Sequence, residues 1–221
     1  MVRNWPTMFS TIINFILKCP RLVTELHGHT GPIISMAISS SRRLMASGGT
    51  DGVRIWDLKM FQEITIPQQP LQEREQVSCI LWITHKNETF DTLCYGNALG
   101  YLVFLQHHPA KVRFLYKHFG PQDWPHMLKG WFEAIHSARI GWGGKILSLA
   151  VDTTTGSTTH IATGTHDKCV QVWTFDFNTQ KLVSVHSSAF SKKRDIVPKA
   201  LAFNDDPSHD LYIFRIFDGG L

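Results

Sequence analysis

The sequence predicts an all-β chain built as a run of small antiparallel sheets. Three observations predict it. Fourteen Phe and seven Trp are many for 221 residues, and aromatic and β-branched residues suit strands. One four-strand pattern recurs along the chain. Its copies contain tight turns between apolar alternations, two of them Asp-Gly, which is a hairpin signal. With 43% apolar and 18% charged residues the composition is globular and excludes wholesale disorder. Twenty-two basic residues against eighteen acidic ones leave a net charge of +4, too weak by itself to argue for nucleic acid. No run of apolar residues is long enough to predict a membrane span.

The elements follow in order. The first strand of each copy reads small, apolar, small or apolar, bulky: Ser35–Ile38, Cys79–Trp82, Ser148–Val151 and Ala200–Phe203. These strands start 44, 69 and 52 residues apart. Second strands are Leu44–Gly48, Thr92–Gly96, His160–Gly164 and Leu211–Phe214. The turns that follow are Thr50-Asp51-Gly52, Leu99-Gly100, His166-Asp167-Lys168 and Asp218-Gly219. Third strands are Val53–Trp56, Leu102–Leu105 and Val170–Trp173, while the fourth copy stops at Leu221, where its third strand would begin. Fourth strands are Phe61–Ile66, Phe132–Ile140 and Leu182–Ser187, and Arg21–Leu26 reads as a similar strand ahead of the first copy. The second spacing exceeds the first by 69 − 44 = 25 residues, which an insertion at His107–Gly130 accommodates. Within it Asp123-Trp124-Pro125 reads as a helix start, and Trp124, Met127, Leu128, Trp131, Phe132 and Ile135 share a helical face. The expectation is a helical turn or two to about Gly130, then a strand. That face either packs on the parent domain or, if exposed, binds a partner.

Short antiparallel strands in fours, at a period of about 40–50 residues, read as propeller blades. A blade that is apolar on both faces cannot bury them alone and is stabilised by its neighbours. At Gly28–Leu58 the residues GHTGPIISMAIS and then ASGGTDGVRIWDL resemble a WD repeat. The third copy, ATGTHDKCVQVWTF, is close to the same pattern and the second, LCYGNALGYLVFL, is degenerate. The resemblance covers residues 21–106 and 132–221. It implies a partial β-propeller of about three to four four-stranded antiparallel blades. Their bounds would be 27–66, 77–140 with the insertion at 107–130, 146–187, and a partial blade at 197–221. Residues 1–20 stand ahead as an apolar arm.

The resemblance also implies a buried hydrogen-bond chain in the first copy through His29, Ser47, Asp51 and Trp56. A buried Trp needs an acceptor for its one N–H, and Ser47 can supply it. The third copy keeps Thr163, Asp167 and Trp173 but has no His, with Trp142 or Gly144 near its place. The second keeps none, and its Tyr95, Asn97 and Leu105 predict mostly apolar packing.

A Ser-His-Asp set also suggests a hydrolase, but a serine nucleophile needs exposure, an oxyanion hole and a cleft, and these residues would lie inside a blade. No catalytic, cofactor-binding or metal-ligating residue is assigned. Gly141–Lys145 looks like a phosphate loop, yet Arg139 stands where the first Gly belongs and Ile146 where Ser or Thr does. It reads as a loop between blades. His107, His108, His118, His126 and His136 have spacings that fit neither a helix pair nor a finger. Asn87-Glu88-Thr89 is a glycosylation sequon only in a secreted chain, and Lys192-Lys193-Arg194 reads as a solvated loop in preference to a nuclear signal. Cys19, Cys79, Cys94 and Cys169 form no CxxC pair and read as buried thiols in a reducing compartment. Met1–Lys18 could pass for a signal-peptide core, but Ser10, Thr11 and Asn14 interrupt it and no small-residue cleavage site follows. It reads either as an apolar arm packed on the body or as a misassigned gene start.

The function this implies is a non-catalytic protein-interaction scaffold, intracellular, in cytoplasm or nucleus. Its partners would be other proteins or peptides, with no nucleic acid, membrane or cofactor. Rim candidates are the loops around Arg42-Arg43, Asn97-Ala98, Trp142 and Lys192–Arg194. Three copies and half a fourth mean either a truncated propeller or one completed by another chain. Self-association through the unfinished last blade, as a homodimer of two partial rings, is the symmetric version. Leu211–Phe217 would offer a bare, β-prone edge. The rival is a propeller-based enzyme, which needs converging polar groups in its channel. The inner strands show Ser35, Cys79, Ser148 and Ala200 and no carboxylate. A gene fragment without independent function is the remaining alternative.

Overall fold

Strands that are apolar on both sides require a sheet with a neighbour on each face, and the chain solves this by stacking sheets. A computed structural model describes residues 24–67, 69–84, 91–108, 131–140, 143–152, 157–189, 196–204 and 210–217. Among them blade 1 is β1 (Ile33–Ile38), β2 (Leu44–Gly49), β3 (Gly52–Asp57) and β4 (Gln62–Ile64). Blade 2 is β5 (Val77–Thr84), β6 (Asp91–Asn97), β7 (Tyr101–His108) and β8 (Trp131–Arg139). Blade 3 is β9 (Ile146–Val151), β10 (Thr158–Thr165), β11 (Cys169–Asp176) and β12 (Lys181–Ala189). Blade 4 has two strands, β13 (Ile196–Phe203) and β14 (Leu211–Phe217). Within each blade every strand pairs antiparallel with the next in sequence, so the described residues are all-β: three four-stranded sheets and one two-stranded sheet. Among the described residues the stack does not close into a ring.

The apolar cores lie between the sheets. Leu44, Ala46 and Ile55 of blade 1 meet Val77, Ile80 and Leu93 of blade 2. Leu102 and Phe104 of blade 2 meet Ile146, Ile161 and Phe175 of blade 3. Phe104 and Phe175 stack across this joint with centroids 4.3 Å apart. Ala150, Ala162 and Val170 of blade 3 meet Leu201 of blade 4, with Leu211 and Ile213 packed against them.

The inner strands share a defect that no spacing in the sequence marks. In every sheet the ladder between first and second strands slips at one place, skipping Ile34, Ser78, Leu147 and Lys199. The bulge bends the strand and re-aims the small residue that follows, Ser35, Cys79, Ser148 or Ala200. Three of these reach the next blade. Ser35 Oγ accepts the Ile80 N–H at 3.1 Å, Cys79 Sγ lies 3.7 Å from the Ile146 carbonyl, and Ser148 Oγ donates to the Pro198 carbonyl at 3.1 Å. These residues stitch blades together instead of presenting a channel surface.

The outer hairpins of blades 1 and 3 are built alike. Asp57 Oδ1 accepts the Lys59 and Met60 amides at 2.8 and 3.0 Å, and Asp176 Oδ1 accepts the Asn178 amide at 2.9 Å. Each turn ends on a left-handed residue, Phe61 at φ 54° and Gln180 at φ 53°. In the sequence only blade 1 carries the Trp-Asp pair. Blade 3 places its Asp three residues beyond Trp173, in a longer strand.

Two expectations change. Thr24–Leu26 form no strand, so the strand at Arg21–Leu26 is absent over its described part. A ring-closing strand needs a third strand to pair with, and blade 4 has none among the described residues. The insertion begins later than His107, because β7 continues through His108 paired with Trp131. The helical turn near 123–130, the arm at 1–20, the sequon at Asn87 and the basic run at 192–194 lie outside the described residues. The Gly141–Lys145 segment falls between β8 and β9, linking blades 2 and 3.

Candidate functional site

Blade 1 brings His29, Ser47, Asp51 and Trp56 together. The Trp56 indole N–H donates to Ser47 Oγ at 2.8 Å, and Ser47 Oγ lies 2.8 Å from His29 Nε2. His29 Nδ1 lies 2.6 Å from Asp51 Oδ1. With the proton on Nδ1 the donors run in one direction, from Trp56 to Ser47 to His29 to Asp51. The other Asp51 oxygen accepts the Thr30 amide at 2.7 Å and its hydroxyl at 3.2 Å. Burial alone would raise the Asp51 carboxyl, but the Thr30 amide and the His29 ring outweigh it and hold it at about 2. Gly28 lies on the Trp56 ring, where a Cβ would stand 2.8 Å from Cη2. The backbone can thus cross the indole and deliver His29 into the sheet.

This arrangement leaves no nucleophile to offer. Ser47 is 1% exposed and its oxygen both accepts from Trp56 and faces His29. A cleft of about 620 Å³ opens beside it, lined by Leu26, Ile33, Met36, Met45 and Trp56. Of its polar members, His29 and Ser47 are engaged with each other, and Thr24 and His27 line its outer part with Glu25 as their partner.

Blade 3 keeps half of the chain. Trp173 donates to Thr163 Oγ1 at 3.0 Å, and that hydroxyl donates to the Gln171 carbonyl at 3.4 Å in place of a His. Asp167 accepts the Thr165 hydroxyl within its own turn. Gly144 occupies the position facing Asp167, where a Cβ would lie 3.1 Å from its carboxyl carbon. A side chain there would need Asp167 to give way by a few tenths of an ångström. Trp142 lies outside the described residues.

In blade 2 Leu105 and the Tyr95 ring pack in the apolar core between blades 1 and 2, as expected, while Asn97 and the Tyr95 hydroxyl make polar contacts. Leu105 stands opposite Leu93 as Trp56 stands opposite Met45 and Trp173 opposite Ile161. Two places further along the partner strand are Tyr95, Ser47 and Thr163. A smaller residue replaces Trp and a larger one replaces the hydroxyl, so volume is kept. The fully buried Tyr95 turns its hydroxyl to Gln69 Oε1. Asn97, also fully buried, donates to the Gln72 carbonyl at 2.7 Å and accepts the Leu99 and Tyr101 amides at 3.0 and 2.9 Å. These two residues anchor the connection from blade 1. The Asn-x-Leu-Gly turn chemistry was a readable signal for Asn97.

The remaining candidates diverge. His107 sits beside Phe132 in the core facing blade 1, and His136 sits between Phe104 and Phe175 in the core facing blade 3. Burial and the nearby Arg43 pull His107 down to about 4. His108 pairs with Glu133 at 3.1 Å. His118 and His126 lie outside the described residues, and among the described residues no three metal-type ligands converge. At the rim, Arg43 donates twice to the buried Asp57 at 3.1 and 3.2 Å, and Asn97 is internal. Burial raises the Cys79 thiol to about 12 and the Cys94 thiol well above its ordinary value. Both are buried and free, as is Cys169.

Stacked antiparallel blades, one of them locked by a Trp–hydroxyl–His–Asp chain, give the described residues the fold of a partial β-propeller. Residues 20–57 match the family described as WD domain, G-beta repeat. The fold is similar to the crystal structure of RRP9 WD40 repeats, with a TM-score of 0.53 and 13% identity over 86% of this chain and 52% of that one. It is equally similar to the structure of U3-55K, at 0.53 and 13%, over 86% and 53%. The chain therefore spans about half the length of these structures. No curated protein matches the sequence.

Proposed function

We propose that this chain is a non-catalytic protein-interaction scaffold carried on a partial propeller. One observation supports this most directly: the two end faces of the stack expose large apolar side chains. On blade 1 Met36 is 63% and Ile38 58% exposed. On blade 4 Tyr212 is 52% and Phe214 59% exposed. Apolar residues grouped on one face of a folded chain mark a surface that another polypeptide covers. Meanwhile the polar groups that could have done chemistry in blade 1 are occupied in joining strands. Partners are proteins or peptides, and the setting is cytoplasmic or nuclear. No helix among the described residues is long and apolar enough to cross a membrane.

The test compares the wild type with a Met36→Lys, Ile38→Lys variant of equal melting temperature, by cross-linking and mass spectrometry in cell extract. The expected result is a defined set of proteins captured by the wild type and lost with the variant. Equal capture by both, or none by either, overturns the reading.

A further inference from the structure

The fourth strand of blade 1 leaves part of its own sheet uncovered. In blades 2 and 3 the fourth strand pairs with the third along its whole length, from Tyr101 with Arg139 to His108 with Trp131, and from Cys169 with Ala189 to Asp176 with Lys181. In blade 1 β4 is only three residues long and pairs with Ile55, Trp56 and Asp57 alone. Gly52, Val53 and Arg54, the first half of β3, have β2 on one side and no strand on the other among the described residues. The chain leaves the sheet after Ile64 and passes through a turn at Pro70–Arg74 to begin blade 2. The uncovered stretch thus lies in the interior of the chain, between blades that are both complete.

Which backbone groups this frees follows from the alternation of an antiparallel ladder. The Leu58 amide donates to the Arg43 carbonyl at 2.8 Å, on the β2 side. Trp56, Arg54 and Gly52 therefore turn their backbone groups toward β2, and Asp57, Ile55 and Val53 turn theirs outward. Asp57 and Ile55 meet Gln62 and Ile64 there. Val53 meets no strand and borders a cavity of about 310 Å³. Its N–H and C=O are one open ladder position.

The charges around the cavity leave one cation free. Asp51 is held by His29 and Thr30, with Arg54 Nη2 a further 3.9 Å away. Glu63 accepts from Arg54 Nη1 at 2.8 and 3.0 Å. Arg74 also lines the cavity, and its guanidinium has no hydrogen bond or ion pair with any described residue. The Arg74 backbone is fixed. Its amide donates to the Pro70 and Leu71 carbonyls at 3.3 and 3.2 Å, and its own carbonyl lies over Gly52, 3.3 Å from where a Cβ would stand. Ile66 and Pro67 give the cavity an apolar side. An open ladder position, an apolar wall and an unpaired guanidinium in one cavity match a short extended segment that carries a carboxylate.

We propose that the cavity beside Val53 binds an extended acidic peptide segment. One residue of the segment pairs through its backbone with the Val53 N–H and C=O, and a neighbouring Asp or Glu pairs with Arg74. The inference rests on the reading that this chain binds polypeptides and names where and what kind.

The probe is the fluorescein-labelled peptide Thr-Val-Glu-Val-Thr with blocked ends, together with versions carrying Gln or Lys in place of Glu. Affinity for the full chain is read by fluorescence anisotropy, and exchange of the Val53 amide by NMR. At saturation the Glu peptide is expected to slow Val53 exchange about tenfold. It is expected to bind about fivefold more tightly than the Gln peptide, with the Lys peptide weakest. Arg74→Gln is expected to erase the preference for Glu over Gln while both peptides still slow Val53. Val53→Pro removes an N–H that no ladder bond uses, and is expected to abolish binding of all three peptides at an unchanged melting temperature. Val53 exchange unaffected by the Glu peptide, equal affinities for Glu and Gln in the wild type, or a preference for Glu that survives Arg74→Gln overturns the proposal. Capture of proteins that Met36→Lys, Ile38→Lys abolishes, with Val53 still exchanging freely under the Glu peptide, overturns it too and spares the scaffold reading. Peptide binding at Val53 without protein capture supports this site and overturns the scaffold.

Discussion

Trp56 and Ser47 are joined by a 2.8 Å hydrogen bond that reaches diagonally across two strands, since Trp56 is paired in register with Met45. Trp173 and Thr163 repeat the same diagonal in blade 3, from a residue paired with Ile161. The two tryptophans thus occupy equivalent stations, although only one has a His and an Asp behind it. Removing Ser47 orphans two partners, the Trp56 N–H and His29, whereas removing the Trp N–H leaves Ser47 still bonded to His29. Ser47→Ala is expected to cost about 2–3 kcal/mol and Trp56→Phe about 1–2 kcal/mol. Urea unfolding of both singles and the double variant checks this. Costs that simply add would show that the bond carries no coupling.

Asp51 gives a pH dependence with a definite sign. Its carboxyl is held at about 2 in the folded chain against an ordinary 3.8. A depressed carboxyl stabilises the fold above the unfolded value, and that stability is lost as pH falls from about 4 through about 2. Asp51→Ala is expected to destabilise by about 1–3 kcal/mol at neutral pH and to flatten the acid limb of the stability curve. Denaturant titrations at pH 7, 4 and 2.5 read both.

The glycine at each blade joint should tolerate nothing larger. Gly96→Val puts a branched side chain where Ile146 already stands 2.7 Å from a bare Cβ. It is expected to destabilise by about 2–3 kcal/mol through overpacking. Phe214→Gly, opposite Ala200 as Gly96 is opposite Cys79 and with no blade in front of it among the described residues, is expected to change stability by less than about 1 kcal/mol. Comparable losses at the two positions, measured by thermal unfolding, would mean that the fourth blade has a covered forward face after all.

Asn97 carries more than its degenerate repeat suggests. Asn97→Ala strands the Leu99 and Tyr101 amides and the Gln72 carbonyl in a fully buried setting. A loss of about 2–4 kcal/mol is expected, larger than for the turn residue Asp51. Asn97→Asp keeps the acceptor for the two amides and should recover part of that loss. Melting temperatures of the two variants and the wild type decide it.

The sequence by itself determined the strand content, the order of hairpins and the identity of the best repeat. Those depend on local features: alternation of Val, Ile and Phe, turn residues such as Asp51-Gly52, and a Trp at the end of a strand. Its resemblance to a WD repeat also marked His29, Ser47, Asp51 and Trp56 as a set, in keeping with a buried indole's need for an acceptor. What only the tertiary structure decided lies at the joints between sheets. The bulges at Ile34, Ser78, Leu147 and Lys199 are set by how inner strands bend toward neighbours far away in the chain. Tyr95 and Asn97 looked apolar in context because their partners, Gln69 and Gln72, sit in a connection more than twenty residues upstream. Arg21–Leu26 read as a strand on pattern alone, yet a strand exists only where a ladder partner stands beside it. The contrast between Gly164 and Phe214 becomes meaningful only when both are placed opposite the same station of an inner strand. Local preference fixes what each segment can form, and long-range packing fixes which faces meet and which stay open.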